Sequence, residues 1–393
     1  MKVYLDHAAT TYVDDRVLQE MLPYFSNTFG NPNSQHGYGR DTAIVIDNAR
    51  QQVAKAINAK PNEIYFTSGG TESDNWAIKG IASALKDKGN HIITSKIEHA
   101  AILESVKYLS KHGFKIDYLN VDKNGVVDLE QLKSLITDKT ILVSVMTANN
   151  EIGTIQPIKE IGEICKERKV LFHTDAVQAT GAIKLDVKDM NVDLLSMSSH
   201  KFYGPKGIGA LYVRSGIKID NLMSGGHQER TKRGGTSNVP AIVGMGKAIE
   251  LATENLEETG KKIAEMRDYF VSKVLEKIPY VTYNGHKTNR LPNNASLSFD
   301  FIEGESILFS LDLEGIACSS GSACSSGSLE PSATLLAIGK EPKDAHGTIR
   351  FTFGKCNTYE QIDYTIEKLV EIVERLRNMS PLFYEFKKEN KNV

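Results

Sequence analysis

The stretch Ser196-Met-Ser-Ser-His-Lys-Phe-Tyr-Gly-Pro-Lys-Gly-Ile-Gly-Ala-Leu-Tyr-Val213 places a lysine between an apolar strand and a glycine-rich turn into another strand. Lys201 has hydroxyl and imidazole side chains beside it, at a point where a strand edge opens into a cavity. Lysines in such places form Schiff bases with carbonyl compounds, because burial lowers the pKa of the amine and exposes its lone pair. A lysine is ordinarily a solvated surface charge. The sequence patterns on either side must therefore show whether Lys201 has that role or binds a carbonyl compound.

Around this stretch, short apolar runs alternate with helical patterns. We predict strands at 64–67, 91–95, 115–119, 141–146, 170–173, 194–197 and 209–213. We predict helices at about 41–58, 72–86, 99–111, 128–137, 157–168 and, as one long element, 239–275. Apolar strands linked by helices form parallel-rich sheets covered on both faces, with ligands at the carboxyl ends of the strands. The predicted fold class is therefore α/β, followed by a smaller α+β unit with strands at 295–299 and 348–353.

The composition excludes several classes of protein. The 393 residues carry a net charge of −2, which gives no basic field for nucleic acid or a membrane surface. No apolar run approaches the ~20 residues that span a bilayer. The N-terminus becomes acidic at Asp6, too early for a signal peptide, so we expect a cytoplasmic protein. Four cysteines are too few for a disulfide framework, and Cys318 and Cys324 lack the spacing and second pair of a zinc site.

A second motif, Phe172-His-Thr-Asp-Ala-Val-Gln178, ends an apolar strand in an acid. Taken alone, Asp175 is more often a helix cap than a catalytic group. Together with Lys201 it matches the chemistry of pyridoxal 5'-phosphate (PLP), which needs a carboxylate at its ring nitrogen and a lysine at its aldehyde.

The third motif, Thr67-Ser-Gly-Gly-Thr-Glu-Ser-Asp-Asn75, joins a strand to an amphipathic helix through two glycines. Free backbone N–H groups, a hydroxyl and the positive end of the helix dipole make such a turn an anion site. The alternative is a plain N-cap by Thr71 or Ser73. A cofactor that carries a phosphate favours the anion site.

The chain resembles the PLP-dependent cysteine desulfurases of the NifS/IscS group, in the class V aminotransferase superfamily. The resemblance covers nearly the whole chain, in the order of the motifs Tyr4-Leu-Asp-His-Ala-Ala-Thr-Thr11, Gly69-Gly-Thr-Glu-Ser73, Glu98-His99, Asn149-Asn-Glu-Ile-Gly153, Asp175-Ala-Val-Gln178, Ser198-Ser-His-Lys201, Arg233-Gly-Gly-Thr236 and Ser320-Gly-Ser-Ala-Cys324. It implies a fold-type I PLP homodimer. The implied domains are an N-terminal arm (1–15) that joins the small domain and the active site, a large PLP-binding domain (16–255) and a small domain (256–393) that carries the catalytic cysteine loop (about 319–331).

The resemblance also implies a role for each matching residue. Lys201 would bind the cofactor aldehyde and later move protons, and His99 would stack on the ring and assist proton transfer. Asp175 would pair with the ring nitrogen and Gln178 would donate to the phenolic oxygen. The phosphate would be held by Gly70, Thr71, Ser198, His200 and, from the neighbouring subunit, Thr236. Asn150, which also contacts the cofactor, and Arg350 would orient the substrate carboxylate.

Cys324 aligns with the family's persulfide-forming nucleophile, whereas Cys318 lies outside the matching motif. A free thiol has a pKa near ~8.5, so a nearby base must activate it, and a mobile Ser/Gly loop suits a group that carries sulfur away. We expect Cys318 to be a partly buried packing residue, and Cys165 to lie in the core on a helix. No metal is expected in the resting enzyme, although Cys324 is a candidate transient iron–sulfur ligand when a scaffold is bound.

The activity implied is conversion of L-cysteine to L-alanine, with sulfur passed from Cys324 to a NifU/IscU-type scaffold for iron–sulfur cluster assembly. The C-terminal residues 379–393, which include Phe383 and Phe386, are expected to help dock that scaffold. Two alternatives stay open. Another fold-type I PLP enzyme, a selenocysteine lyase or an aminotransferase, would share Lys201 and Asp175. An iron–sulfur or thiol-redox binding protein would use the cysteines without PLP.

Overall fold

The computed structural model describes residues 1–320 and 331–389 of the chain. Its strands, numbered along the chain, are β1 (Val3–Tyr4), β2 (Ile64–Thr67), β3 (His91–Ser95), β4 (Lys115–Leu119), β5 (Thr140–Ser144), β6 (Leu171–Asp175), β7 (Leu194–Ser198), β8 (Gly209–Val213), β9 (Val281–Tyr283), β10 (Asn294–Phe299), β11 (Ile316–Ala317), β12 (Ser319–Ser320) and β13 (Thr348–Thr352). Its helices are α1 (Asp15–Met21), α2 (Pro23–Ser26), α3 (Gly37–Ala56), α4 (Gly70–Leu85), α5 (Ala100–Ser110), α6 (Leu129–Leu135), α7 (Ile158–Arg168), α8 (Val239–Glu254), α9 (Leu256–Lys277), α10 (Gly304–Leu313), α11 (Ala333–Ala337), α12 (Pro342–His346), α13 (Tyr359–Met379) and α14 (Pro381–Glu389). None of these helices, in the ranges described, is long and apolar enough to cross a membrane.

The main sheet has the strand order β2-β8-β7-β6-β5-β3-β4 among the described residues. Pairing is parallel from β7 through β4, and β8 runs antiparallel to both of its neighbours. Adjacent residues of β3 enter different apolar cores, Ile92 with Trp76 of α4 and Ile93 with Val53 of α3. Helices therefore cover both faces of the sheet, and the predicted α/β class with a parallel-rich sheet is confirmed.

Two glycines allow the strand after the lysine turn to pack against the loop before α4. Gly69 has φ +154°, a conformation that L side chains rarely adopt, and a Cβ at Gly209 would lie 2.7 Å from the Gly69 Cα. The close approach brings the N-terminus of α4 beside the carboxyl end of β7. This is the edge of the sheet at which the predicted site residues lie.

A second, antiparallel sheet has the order β12-β13-β10-β9 in the part of the chain described. Its apolar core includes Phe270 of α9 and Leu369 of α13. The N-terminal arm joins this unit, because β1 pairs in parallel with β11 and Thr352 N donates to Leu5 O at 2.7 Å. The division of the chain into three segments at 15/16 and 255/256 stays a proposal.

The prediction of one long helix at 239–275 is wrong, because α8 and α9 are separated at Asn255. Asn255 leaves the helical conformation, with φ −129° and ψ 42°. The change of direction lets α8 bury Ile249 in the core of the main sheet, while α9 buries Phe270 in the core of the smaller one. A single straight helix could not pack against both cores.

The C-terminal helix α14 explains part of the aromatic content of the tail. The rings of Phe383 and Phe386 pack against Phe301, with centroid distances of 5.4 and 4.7 Å. Leu382 and Tyr384 remain exposed, at 59% and 61%. The described part of the tail is thus a packed helix with two exposed apolar side chains.

Candidate active site

A cavity of about 350 Å³ lies at the carboxyl ends of β6 and β7. The predicted residues that line it are Gly70, Thr71, His99, Asn150, Asp175, Gln178, Ser198, His200, Lys201 and Arg350. They come from separate parts of the chain, and the sheet edge brings them together. Their individual roles stay proposals.

Lys201 is held at the floor of this cavity by the N-terminal arm. A single 3-10 turn, Ser199–Lys201, follows β7 directly. The Lys201 Nζ donates to the carbonyl oxygens of Ala8 at 2.5 Å and Ala9 at 2.8 Å, and Gln178 Nε2 also donates to Ala8 O at 3.0 Å. The arm therefore forms one wall of the cavity, through backbone carbonyls that the sequence motifs did not specify.

Asp175 presents a buried carboxylate at the end of β6, with 5% of the residue exposed. Its Oδ1 accepts from Val177 N at 2.8 Å. Burial raises its pKa, and His99, the hydrogen bond from Val177 N and Lys201 oppose the rise. Asp74 of α4 also lines the cavity, and burial, followed by the charge of Asp175, raises the Asp74 pKa well above its ordinary value.

His99 caps the N-terminus of α5 and lines the same cavity. Its Nδ1 accepts from Ala101 N at 3.1 Å. In the neutral imidazole this leaves Nε2 as the nitrogen that carries the proton. The cap fixes the ring beside the cavity, as a residue that stacks on a flat cofactor requires.

An adjoining cavity, also about 350 Å³, has the features of a phosphate site. It is lined by Gly70, Thr71, Ser198, His200 and Lys206 among others. The first-turn N–H groups of α4 lack helical acceptors and lie at the positive end of the helix dipole, an arrangement suited to bind an anion. Burial, and then the charges of Lys201 and Lys206, lowers the pKa of His200 to about 4, so its ring is neutral at pH 7. Lys206 was missed by the sequence analysis.

Arg350 of β13 is 2% exposed and reaches the opposite side of the cavity. Its Nη1 donates to Asn150 O at 2.9 Å and its Nη2 to Asp6 Oδ1 at 2.9 Å. Within the described residues its buried Nε has no acceptor. A buried guanidinium with a vacant donor is suited to bind a carboxylate.

Thr236 lies outside this cavity. It lines a third one, of about 220 Å³, together with Ser68, Gly207 and Arg233. The sequence assigned Thr236 to the phosphate of the neighbouring subunit, and that assignment stays a prediction.

The class-V aminotransferase family model matches residues 3–365 of the chain. Cysteine desulfurase IscS of Clostridium botulinum (strain Hall) is 56% identical over 389 residues, which are 98% of this chain and 98% of that relative. Cysteine desulfurase IscS of Methanosarcina thermophila is 55% identical over 380 residues, 97% and 94% of the two chains. The chain belongs to the class-V aminotransferases, in their cysteine desulfurase group.

The solved structure of a NifS-like protein has the same fold as this class-V enzyme. It superposes with a TM-score of 0.91 at 42% identity, covering 96% of this chain and 100% of the other. Membership of the class-V aminotransferases implies dependence on PLP. The alternative of an iron–sulfur or thiol-redox binding protein is thereby excluded.

The cysteines of this class-V enzyme differ in their surroundings. Cys324, the predicted nucleophile, lies outside the described residues. Cys318 is partly buried against the core of the smaller sheet, and burial raises its pKa. Cys165 of α7 is 1% exposed, so its predicted place in the core is confirmed. The described ranges contain no group of three or more His, Cys, Asp or Glu side chains arranged to hold a metal ion.

Glu98, beside His99, gives a prediction for the pH dependence of stability. The residue is 6% exposed and its Oε1 accepts from Ser95 Oγ at 2.6 Å. Burial raises its pKa to about 8. The folded enzyme then binds a proton that the unfolded chain releases above about 4.3, so this group stabilises the fold below that value and its contribution falls as the pH rises to about 8.

We therefore expect Glu98→Gln to gain stability relative to the unmodified enzyme as the pH rises from 5.5 to 7.5. One titrating group changes the free energy of unfolding by at most about 1.4 kcal/mol per pH unit. Urea unfolding of both proteins at the two pH values measures the change. Parallel pH dependences would contradict the raised pKa.

Proposed function

We propose that this class-V enzyme converts L-cysteine to L-alanine and takes up the sulfur as a persulfide on Cys324. The observation that carries the proposal is the convergence of the Lys201 amine, the buried Asp175 carboxylate and the Arg350 guanidinium on one cavity. Its curated relatives named cysteine desulfurase IscS support the choice of reaction.

The residues present fit PLP. Asp175 offers a buried carboxylate for a ring nitrogen, His99 a fixed ring, and Lys201 an amine for the aldehyde. At Gly70 a Cβ would meet Val177 Cγ2 at 2.7 Å, so only glycine leaves the cradle at the start of α4 open without displacing a neighbour. When bound, PLP supplies an electron sink for the α-carbon of an amino acid.

The chain's own residues would then act on the substrate. Arg350 and Asn150 orient the carboxylate of L-cysteine, and the Lys201 amine removes the α proton and returns a proton to the product. The Cys324 thiolate attacks the substrate sulfur, so that an S–S bond forms and the C–S bond breaks. The carbon skeleton leaves as L-alanine.

The test is to incubate the purified, PLP-loaded enzyme with L-cysteine and a thiol reductant. We expect stoichiometric L-alanine and sulfide, and, without reductant, a mass increase of one sulfur atom on the peptide that contains Cys324. Neither a selenocysteine lyase nor an aminotransferase would place sulfur on Cys324, and an aminotransferase would convert L-cysteine to its 2-oxo acid rather than to L-alanine. The absence of both products from L-cysteine would refute the proposal.

A second copy of the chain is the proposed partner of the apolar surface formed by the first helices. Large apolar side chains are exposed there at Leu18, Leu22, Phe25, Phe29, Tyr38 and Ile44. A soluble monomer rarely exposes so much apolar surface in one region. In the proposed homodimer, Thr236 would reach the phosphate site of the neighbouring subunit. Light scattering of the purified protein measures the mass of the particle and so tests for a dimer.

The proposed sulfur acceptor is a NifU/IscU-type scaffold protein, as the IscS names of the relatives suggest. Leu382 and Tyr384 on α14 offer it exposed apolar contacts. The expected cytoplasmic location stays a prediction.

Replacing Arg350 by lysine should reduce kcat/KM for L-cysteine while leaving the visible absorbance of bound PLP unchanged. Lysine keeps the charge but loses the planar pair of donors, which costs about 1–3 kcal/mol. This loss corresponds to about a 5- to 150-fold decrease in kcat/KM. Arg377→Lys is the matched control, because Arg377 is equally buried but donates to the carbonyls of Pro279 and Tyr280. An unchanged kcat/KM in Arg350→Lys would remove this residue from the substrate site.

A further inference from the structure

The turn at residues 149–152 carries Asn150 and is held by buried hydrogen bonds. It also places one more carboxylate, that of Glu151, next to a residue that lines the cavity. Asn149 is fully buried, and its Oδ1 accepts from the backbone N–H groups of Glu151 at 2.8 Å and Ile152 at 2.9 Å. Its Nδ2 donates to Ile97 O at 2.9 Å. The backbone of Glu151 is therefore fixed relative to the main sheet.

The Glu151 carboxylate binds two hydroxyl groups at the start of α11. Ser332 Oγ donates to Oε2, and Thr334 Oγ1 donates to Oε1 at 3.3 Å. Both hydroxyl residues are buried, at 6% and 3% exposure. Ser332 also caps α11 by accepting from Leu335 N at 3.2 Å. One carboxylate therefore joins the main-sheet turn to the first residues of this helix.

Apolar packing supports the same junction independently. Ile152, from the turn, forms a small buried cluster with Leu335 and Ile338. On its other side the turn accepts a hydrogen bond from Arg350, through Asn150 O. The start of α11 is thus attached directly to the element that holds the proposed substrate-binding residues.

The position of this attachment along the chain gives it a function. Cys324 lies eight residues before Ser332 in the sequence. The preceding end of the same segment is also fixed beside the cavity, because Ser319 pairs with Arg350 in the smaller sheet. The described residues on the two sides of the stretch that contains Cys324 are therefore both held, by β12 before it and by the bond to Glu151 after it.

We propose that Glu151 is a positioning residue for the sulfur-transfer step, acting through Ser332 on the segment that carries Cys324. The inference rests on the proposed desulfurase function. Glu151 does not line the cavity in the described structure, so binding of PLP and L-cysteine should not depend on it. Only the attack of Cys324 on the substrate sulfur should depend on where α11 is held.

The experiment compares Glu151→Ala, Ser332→Ala and the double variant in the PLP-loaded enzyme. We expect each single variant to form persulfide on Cys324 about 10- to 100-fold more slowly in a single turnover, the loss typical of a misplaced reacting group. The shift in PLP absorbance on adding L-cysteine should keep its concentration dependence within about threefold. Because both single variants remove the same bond between Glu151 and Ser332, the loss in the double variant should be smaller than the product of the two single losses.

Two further variants sharpen the comparison. Glu151→Gln keeps an oxygen that accepts from Ser332 and should restore most of the rate. Glu341→Ala removes an exposed carboxylate just before α12, where Glu341 pairs with Lys343. This variant should form persulfide at the rate of the unmodified enzyme. If Glu151→Ala does not fold, Ser332→Ala decides the question.

Three outcomes would overturn the inference. A normal persulfide rate in Glu151→Ala or, where that variant does not fold, in Ser332→Ala would show that the bond is not needed. Equal losses in cysteine binding and persulfide formation would show a merely structural role. A lack of persulfide in the unmodified enzyme would overturn the proposed function as well, which distinguishes that failure from the first two.

Discussion

Lys201→Ala should form no detectable L-alanine from L-cysteine, even with PLP added in excess. Among the residues that line the cavity in the described part of the chain, Lys201 carries the amine that faces Asp175. No other lysine lines the cavity in the described residues to bond the cofactor aldehyde, and His99, which is expected only to assist proton transfer, cannot form that bond. Loss of proton transfer alone lowers the rate of L-alanine formation about 10²–10⁴-fold. Loss of the covalent bond between lysine and cofactor lowers it further.

The measurement is L-alanine formation over hours by a chromatographic assay. Lys355→Ala is the matched control: its amine lies over the Tyr203 ring, outside the cavity, and this variant should keep its activity. Substantial L-alanine from Lys201→Ala would refute the assignment of the amine.

Cys324→Ala should lose sulfur transfer by roughly 10³-fold or more, since the group that accepts the sulfur is gone. Its PLP absorbance and the change in that absorbance on adding L-cysteine should persist, because the described cavity residues are untouched. Sulfide release with a reductant and persulfide mass analysis measure the loss.

Cys318→Ala is the control for Cys324→Ala, because it removes the neighbouring thiol, six residues earlier in the chain. Cys318 is partly buried against the smaller core and its pKa is raised by burial, so it is a poor nucleophile. We expect nearly full activity. Sulfur found chiefly on Cys318 in the unmodified enzyme would reverse the assignment.

The main sheet was predictable because most of its strands are short, buried and largely apolar runs between helical patterns. The predicted 64–67, 91–95, 115–119 and 209–213 coincide with β2, β3, β4 and β8. The two-residue strands β1, β11 and β12 were not found, because a pair of residues has no periodicity to detect. The interruption at Asn255 was missed for another reason. It depends on where the two apolar cores lie relative to α8 and α9, and a local sequence pattern carries no information on that.

The site was predictable where a motif carries its own geometry, as at Lys201 and Asp175. Lys206 and the carbonyls of Ala8 and Ala9 were not, since their roles depend on which elements meet at the sheet edge. The raised pKa of Asp74 was also beyond the sequence. It follows from burial beside Asp175, and an aspartate looks the same in the sequence whether it is charged or not.

The pairing of β1 with β11 has a consequence for biosynthesis. Val3 meets Ile316, so roughly 300 residues must be synthesised before the N-terminal arm has its partner strand. At about 5–20 residues per second this delay is on the order of 15–60 s. By the end of that interval the emerging chain contains Lys201 and the whole main sheet, but Arg350 is still missing and, until then, Ala8 and Ala9 are not held in place. A ribosome-bound chain is therefore expected to release no sulfur from L-cysteine until translation is nearly complete.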